Sequence, residues 1–180
     1  MSTTTIISQE TSFSAKYFEV TKSILNIKGT GNQVRYDVVR KPTVAVFPLT
    51  DAWELYLISE YRYLLKRTLL GSIAGFMDPG ETPLAASKRE LTEEAGLKAK
   101  SWKKLASVEL ARSVIKSSVH IFVARVITVG VATPETDEEI SVVKMPLEEA
   151  VGKVMSGEIY SAATMIGILM LDRMRKDRKL

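Results

Sequence analysis

Four glutamates between residues 81 and 94 carry the chemistry this sequence declares most openly. Glu90, Glu93 and Glu94 follow one another at spacings of three and four residues from Glu90, and Glu81 stands nine positions before it. On a helix, positions three and four apart share a face, so the three carboxylates would project together. Like charges at that spacing destabilise an isolated helix, and Glu93 and Glu94 near a helix C-terminus also oppose its dipole. Something positive must compensate. Hard carboxylate oxygens gathered this way suit Mg2+ or Mn2+, which bind through a few carboxylates together with substrate phosphates. Arg89, inside the cluster, is expected to pair with Glu81 or Glu90 and to fix their rotamers. A solvated acidic face is the ordinary meaning of glutamates on a surface helix. The glycine-rich approach (Gly75, then Asp78-Pro79-Gly80) and the fourth carboxylate weigh against it here.

The surrounding residues supply the helix. Thr82 is an N-cap, Pro83 suits the first helical position, and Leu84 to Ala95 are good helix formers apart from Ser87 and Thr92. Gly96 is placed to end the helix at positive φ. Before it the pattern is β-like. Residues 1–14 are polar and expected to be loose. Short strands are predicted over 17–20, 23–27, 34–39, 43–48 and 55–58, with a turn at Gly29-Thr30-Gly31-Asn32. After it come strands over 102–110, 119–128 (an apolar run fit for a buried central strand) and 141–144. One helix is predicted from Pro146 toward Met155 and another over 161–176. Strands with helices interspersed, without regular alternation, predict a mixed α/β sandwich rather than a doubly wound sheet.

Composition sets the limits. The 180 residues are 46% hydrophobic and 26% charged, enough for a core and for one domain with a small appendage. There is no cysteine, so disulfide, thiol-nucleophile and zinc-thiolate chemistry are excluded. The net charge of +4 favours anionic small molecules at least as readily as nucleic acid. No apolar run approaches a membrane span and the Ser/Thr-rich start lacks a basic region, so a cytoplasmic protein is expected. His120, the one histidine, falls in a core strand, where a structural role is the expectation.

The stretch from Gly75 to Leu97, GFMDPGETPLAASKRELTEEAGL, resembles the Nudix box, G-x5-E-x7-R-E-U-x-E-E-x-G-U with U aliphatic, at every fixed position. The resemblance extends from about Tyr36 to Thr164 and points to the ADP-ribose pyrophosphatase and nucleoside-diphosphate-sugar hydrolase branch. It is carried by Val38-Val39-Arg40, Glu60-Tyr61-Arg62-Tyr63, Ala74-Gly75, His120-Ile121-Phe122-Val123-Ala124 and Gly157-Glu158-Ile159. What the resemblance implies is a Nudix fold of the α+β kind, a mixed sheet between helices, with a small N-terminal antiparallel sheet. Residues 1–40 would form a β segment for dimerisation and substrate binding, and 41–180 the hydrolase domain. The branch places an arginine on substrate phosphate, which carries over to Arg62 and more weakly to Arg40. Its metal-binding carbonyl carries over to Ala74. Phe18 or Tyr17 would stack on the nucleoside, and the unsupported apolar faces of the N-terminal strands (Ile24, Leu25, Ile27, Val34, Val38) imply a homodimer.

An acidic run, Glu135-Thr136-Asp137-Glu138-Glu139, precedes the strand near residue 141. In the family this loop brings a glutamate over the metals as base or ligand. Register favours Glu138, with Glu139 and Glu135 as alternates, and such a loop fits a lid. The implied reaction is hydrolysis of a nucleoside diphosphate sugar at its pyrophosphate, water attacking one phosphorus in line to give a nucleoside monophosphate and a sugar phosphate. The implied cofactor is two or three Mg2+, replaceable by Mn2+, held by Ala74, Glu90, Glu93, Glu94 and the acidic loop. Glu93, Arg89, Glu138 and Glu139 are the candidate catalytic groups. Arg62, Arg40, Phe18, Arg112 and Glu81 are the candidates on the substrate side, with Lys116 beside Arg112. Two departures widen the substrate range toward sugars such as GDP-mannose. Gly71-Ser72-Ile73-Ala74-Gly75 stands where the branch has E-x-P-A-G, and Arg112-Ser113 stands where ADP-ribose specialists carry Pro-Gly. An RNA 5′-pyrophosphohydrolase, a dinucleoside polyphosphate hydrolase and a non-catalytic nucleotide sensor are the alternatives. The basic end Arg173–Lys179 would suit RNA, although cations at a helix C-terminus are favoured in any case. Repulsion among Glu81, Glu90, Glu93 and Glu94 is expected to leave at least one of them protonated above the ordinary glutamate range.

Overall fold

The computed structural model describes residues 4–111, 113–132 and 139–180. In chain order the elements are β1 (Thr4–Ser14), β2 (Phe18–Ile27), β3 (Gly31–Arg40), β4 (Thr43–Pro48), β5 (Glu54–Arg62), β6 (Arg67–Gly71), β7 (Ile73–Phe76), α1 (Pro83–Ala95), β8 (Leu97–Ala111), β9 (Ile115–Val129), β10 (Ile140–Pro146), α2 (Leu147–Met155) and α3 (Ala162–Lys176). Two compact units result, Met1–Pro42 with Glu109–Ser118, and Thr43–Val108 with Val119–Leu180.

The first unit is an antiparallel meander. β1 runs against β2 from Thr4↔Ile27 to Ser14↔Glu19, and β2 against β3 from Phe18↔Arg40 to Ile27↔Gly31. The start of β9 adds a short parallel pairing, Val38↔Ile115 and Val39↔Lys116. The expectation that residues 1–14 are loose is corrected, because Thr4–Ser14 is a strand along its whole length. Every residue of β1 is exposed, so it shows no buried alternation by which a sequence could announce it. Its Thr and Ile residues suit extended backbone, and the ladder to β2 does the rest. The two short strands expected over 17–27 are one, with Thr21 and Ser23 buried at its centre. Ile6, Ile7, Phe13, Val34 and Tyr36 are each at least half exposed in this unit.

In the second unit β4 is central and almost wholly buried, paired antiparallel with β7 and parallel with β9. A further sheet runs β10-β5-β6, antiparallel throughout. Successive residues of a strand face opposite ways, and β4 shows the consequence. Ala45 and Phe47 join Leu55, Leu57, Ile121, Val123, Met145 and the buried sides of α2 and α3, including Ala150, Ile168 and Leu171. Val46 faces the other way, joining Ile58, Ile73, Ala124 and the α1 residues Leu91 and Ala95. The outcome is the expected mixed sheet between helices. Gly167 of α3 lies so close to Phe47 that a Cβ there would fall 2.2 Å from the ring. β6 and β7 escaped the sequence reading because each is short, five and four residues, and neither alternates cleanly. Among the described residues no helix is long and apolar enough to cross a membrane.

Candidate active site

Helix α1 forms for the reasons its sequence gives. Thr82, in extended conformation, accepts the Ala85 N–H on its side-chain oxygen, Pro83 opens the first turn, and Gly96 closes the helix at φ 63°. Ser87 and Thr92, the two poor helix formers, donate their hydroxyls back to the carbonyls of Pro83 and Lys88 at 2.7 and 3.0 Å. The helix buries Ala86, Leu91 and Ala95, and on the same side also Glu90 and Glu94, only 7% and 5% exposed. Carboxylates so deeply buried must be answered by hydrogen bonds or by positive charge.

Strand β7 supplies part of the answer. The Ala74 N–H donates to Glu94 Oε2 at 2.9 Å. Beside it, a Cβ on Gly75 would lie 2.0 Å from Glu90 Oε1, so only glycine lets that carboxylate lie against the strand. Arg89 adds to it with all five of its N–H donors. Nε and one Nη2 proton fork onto the two Glu81 oxygens at 3.2 and 3.1 Å. Nη1 donates to Glu90 Oε1 at 2.7 Å and to Glu93 Oε2 at 3.0 Å, and the other Nη2 proton goes to the Phe76 carbonyl at 2.9 Å. The hydrogen bonds to Glu81 are the largest cause holding the Arg89 guanidinium well above its ordinary range, so it is charged at any working pH. In return Arg89, helped by the Asp78 N–H at 3.0 Å, holds the Glu81 carboxyl below the usual glutamate range. Glu81 is therefore not the protonated member of the cluster. The hydrogen bonds from Arg89 outweigh the opposing effect of burial.

Four acidic side chains stand against one guanidinium in this cluster. Among the described residues no three acidic or histidine groups converge on a common point. The carboxylates turn instead to Arg89 and the Ala74 N–H. The donor set nevertheless fits a hard divalent cation. It combines two buried carboxylates, a third, Glu93, on the same helix face and 41% exposed, excess negative charge, and a strand relieved of a Cβ where Glu90 approaches it.

The other expected residues divide by location. Arg62, at the end of β5, is half exposed and its Nη2 lies 2.6 Å from Glu60 Oε2, a carboxylate that is itself largely buried. Glu60 was missed, although its position two residues before Arg62 on one strand puts both side chains on one face. Glu139 is exposed at the threshold of β10. Arg40 and Phe18 belong to the first unit. There Arg40 Nη1 reaches Ser117 Oγ at 3.5 Å, and the Phe18 ring lies 5.9 Å from that of Phe13. Tyr17 carries the Lys16 ammonium 4.7 Å from its ring centroid, and Lys116 is exposed on β9. Arg112, Glu135 and Glu138 lie outside the described residues. His120 is half buried with Nδ1 2.7 Å from Ser107 Oγ.

The NUDIX domain family model matches residues 39–163, well over half of the chain. The chain belongs to the Nudix family. This Nudix chain is similar to the ADP-ribose pyrophosphatase of Bacillus subtilis (strain 168), 30% identical over 168 residues, covering 92% of this chain and 90% of that protein. It is similar also to the ADP-ribose pyrophosphatase of Mycobacterium tuberculosis (strain ATCC 25618 / H37Rv), 30% identical over 167 residues, covering 91% of this chain and 80% of that one. A crystal structure described as an ADP compounds hydrolase superposes with a TM-score of 0.85 at 24% identity, covering 100% of this Nudix chain and 98% of that one, a likeness of fold.

Proposed function

We propose that this Nudix pyrophosphohydrolase cleaves the pyrophosphate of a nucleoside diphosphate sugar, ADP-ribose or a relative of it, to a nucleoside monophosphate and a sugar phosphate. The observation that carries the reading is the pair of buried carboxylates, Glu90 and Glu94, set against Ala74 and Gly75 with Glu93 beside them. The two relatives named ADP-ribose pyrophosphatases support the substrate class. Glu90, Glu93, Glu94 and the Ala74 carbonyl would hold Mg2+, or Mn2+ in its place. The cation supplies, when bound, Lewis-acid polarisation of the diphosphate and neutralisation of charge on its oxygens.

The chain's own groups do the remainder. Arg89 holds Glu81, Glu90 and Glu93 in one arrangement, which reduces the rotamer freedom lost when substrate arrives. Arg62, preset by Glu60 and half exposed, offers its guanidinium to a phosphate oxygen. A carboxylate of the acidic run, Glu138 or Glu139, takes the proton from the attacking water. The water oxygen bonds to one phosphorus as the bridging oxygen leaves in line with the other phosphate, without a covalent enzyme intermediate. Arg40 and Arg112 are proposed for substrate phosphate and Phe18 for stacking on the nucleoside, and the exposed apolar strands of the first unit for a homodimer contact. A chromatographic assay over ADP-ribose, GDP-mannose, UDP-glucose, diadenosine polyphosphates and triphosphorylated RNA tests this. Preferred turnover of a diphosphate sugar is expected, and exclusive turnover of polyphosphates or RNA overturns the substrate assignment.

A further inference from the structure

Strand β7 positions both buried carboxylates, yet its entry residue is anchored by neither sheet. Ser72 falls between the last pairing of β6, Ile58↔Gly71, and the first of β7, Val46↔Ile73. It is 6% exposed, so its backbone N–H has no access to bulk water and needs a protein acceptor. That acceptor is the Thr164 side-chain hydroxyl in the first turn of α3, 2% exposed and 3.1 Å from the Ser72 nitrogen. The Ser72 hydroxyl lies 3.4 Å from the same oxygen, and a Cβ on Gly71 would sit 3.6 Å from it. The Thr164 hydroxyl thus covers the Gly71–Ser72 peptide from a different element. Two residues further along, the Ala74 N–H meets Glu94, and one further still Gly75 receives Glu90 at a separation no Cβ would permit. A strand four residues long transmits a shift at its entry to both of these positions, because packed interiors have little slack.

We infer that Thr164 is a positioning residue for the carboxylate site: its hydroxyl fixes the start of β7 and thereby the placing of Ala74 and Gly75 against Glu94 and Glu90. The inference rests on the reading of those carboxylates as a divalent-cation site. Nothing in the Nudix box itself encodes it, since Thr164 lies 68 positions after Gly96. Its hydroxyl touches neither carboxylate, so its influence is indirect and specific to the geometry of β7.

The test compares Thr164→Val, Thr164→Ala and Thr164→Ser with the wild type, by calorimetric titration with Mn2+ alone and by steady-state kinetics on ADP-ribose. Val preserves volume, Ala does not, and both lack the hydroxyl; Ser retains it. Mn2+ affinity and kcat are expected to fall roughly tenfold in both Val and Ala, the range typical of groups that orient a metal ligand. KM is expected to stay close to wild type, and Ser to recover both losses. Wild-type Mn2+ affinity in a folded Thr164→Val or Thr164→Ala protein, whatever its melting temperature, overturns the inference. So does failure of Ser to recover. If Val does not fold, Ala and Ser carry the same comparison. A wild-type protein that neither binds Mn2+ nor hydrolyses ADP-ribose sinks the proposed function instead, which separates the two failures.

Discussion

Replacing Arg89 by Met removes the cation that pairs with the carboxylates of the acidic helix and leaves an unbranched apolar stem. Five hydrogen bonds go with it, four of them to carboxylates, and the buried Glu90 loses its guanidinium. Leaving one member of a buried ion pair unanswered costs about 3–5 kcal/mol. Arg89 is 28% exposed, and water reaching Glu93 and Glu81 keeps the total from being the sum of five separate bonds. For a chain of this length each kcal/mol lowers Tm by about 2–4 °C, so a fall of roughly 6–20 °C is expected by calorimetry in EDTA. Arg89→Lys, with three donors on a flexible stem instead of a fixed fork, is expected between the two. Saturating Mn2+ should restore more of the lost Tm in Arg89→Met than it adds to the wild type, because the cation then supplies the missing charge. A Tm within about 2 °C of wild type in EDTA would refute the view that Arg89 holds the cluster together.

Gly75→Ala places a methyl where the Glu90 carboxylate now lies, and Mn2+ affinity and turnover are expected to fall by about tenfold or more while circular dichroism stays native. The Glu81 carboxyl titrates lower in the folded chain than its ordinary value of 4.5, so its pairing with Arg89 contributes fully above that pH and is lost as pH falls through the folded value. The Glu81 contribution to the Tm gap between wild type and Arg89→Met should therefore fade as pH falls below 4.5, and a gap indifferent to pH is the contrary result. The exposed Ile6, Ile7, Phe13, Val34 and Tyr36 predict a dimer by light scattering at micromolar concentration, against a monomer of 20.0 kDa if those faces stay bare.

Much of the site was legible because it is local. Cap, proline, stop glycine and the spacing of Glu90, Glu93 and Glu94 all act within one helix, where sequence distance and spatial distance agree. Arg89 pairing with Glu81 and Glu90 followed from the same locality. Its further donation to the Phe76 carbonyl did not, since that needs the β7 backbone beside the helix. Thr164 illustrates the other limit: a hydroxyl 92 residues from Ser72 leaves no periodic trace. The strands over 43–48 and 119–128 were readable, the second from its apolar run, and in β4 every residue but Thr43 is buried. β1 was not, because its stability lies in backbone pairing and its side chains are all exposed. Sequence pattern reports what is buried, and an exposed strand gives it nothing to report.

Product analysis after incubation with ADP-ribose and Mg2+, for wild type and Glu94→Gln side by side, addresses the central claim most directly. Gln at 94 keeps the shape and an oxygen that can accept the Ala74 N–H, but removes the charge. The account predicts AMP and ribose 5-phosphate in equal amounts from the wild type, abolished by EDTA, and at least about a hundredfold less from a folded Glu94→Gln, as when an electrostatic group in a site is removed. Equal turnover by the two proteins, or wild-type turnover untouched by EDTA, would show that the buried carboxylates of this helix do not carry the reaction.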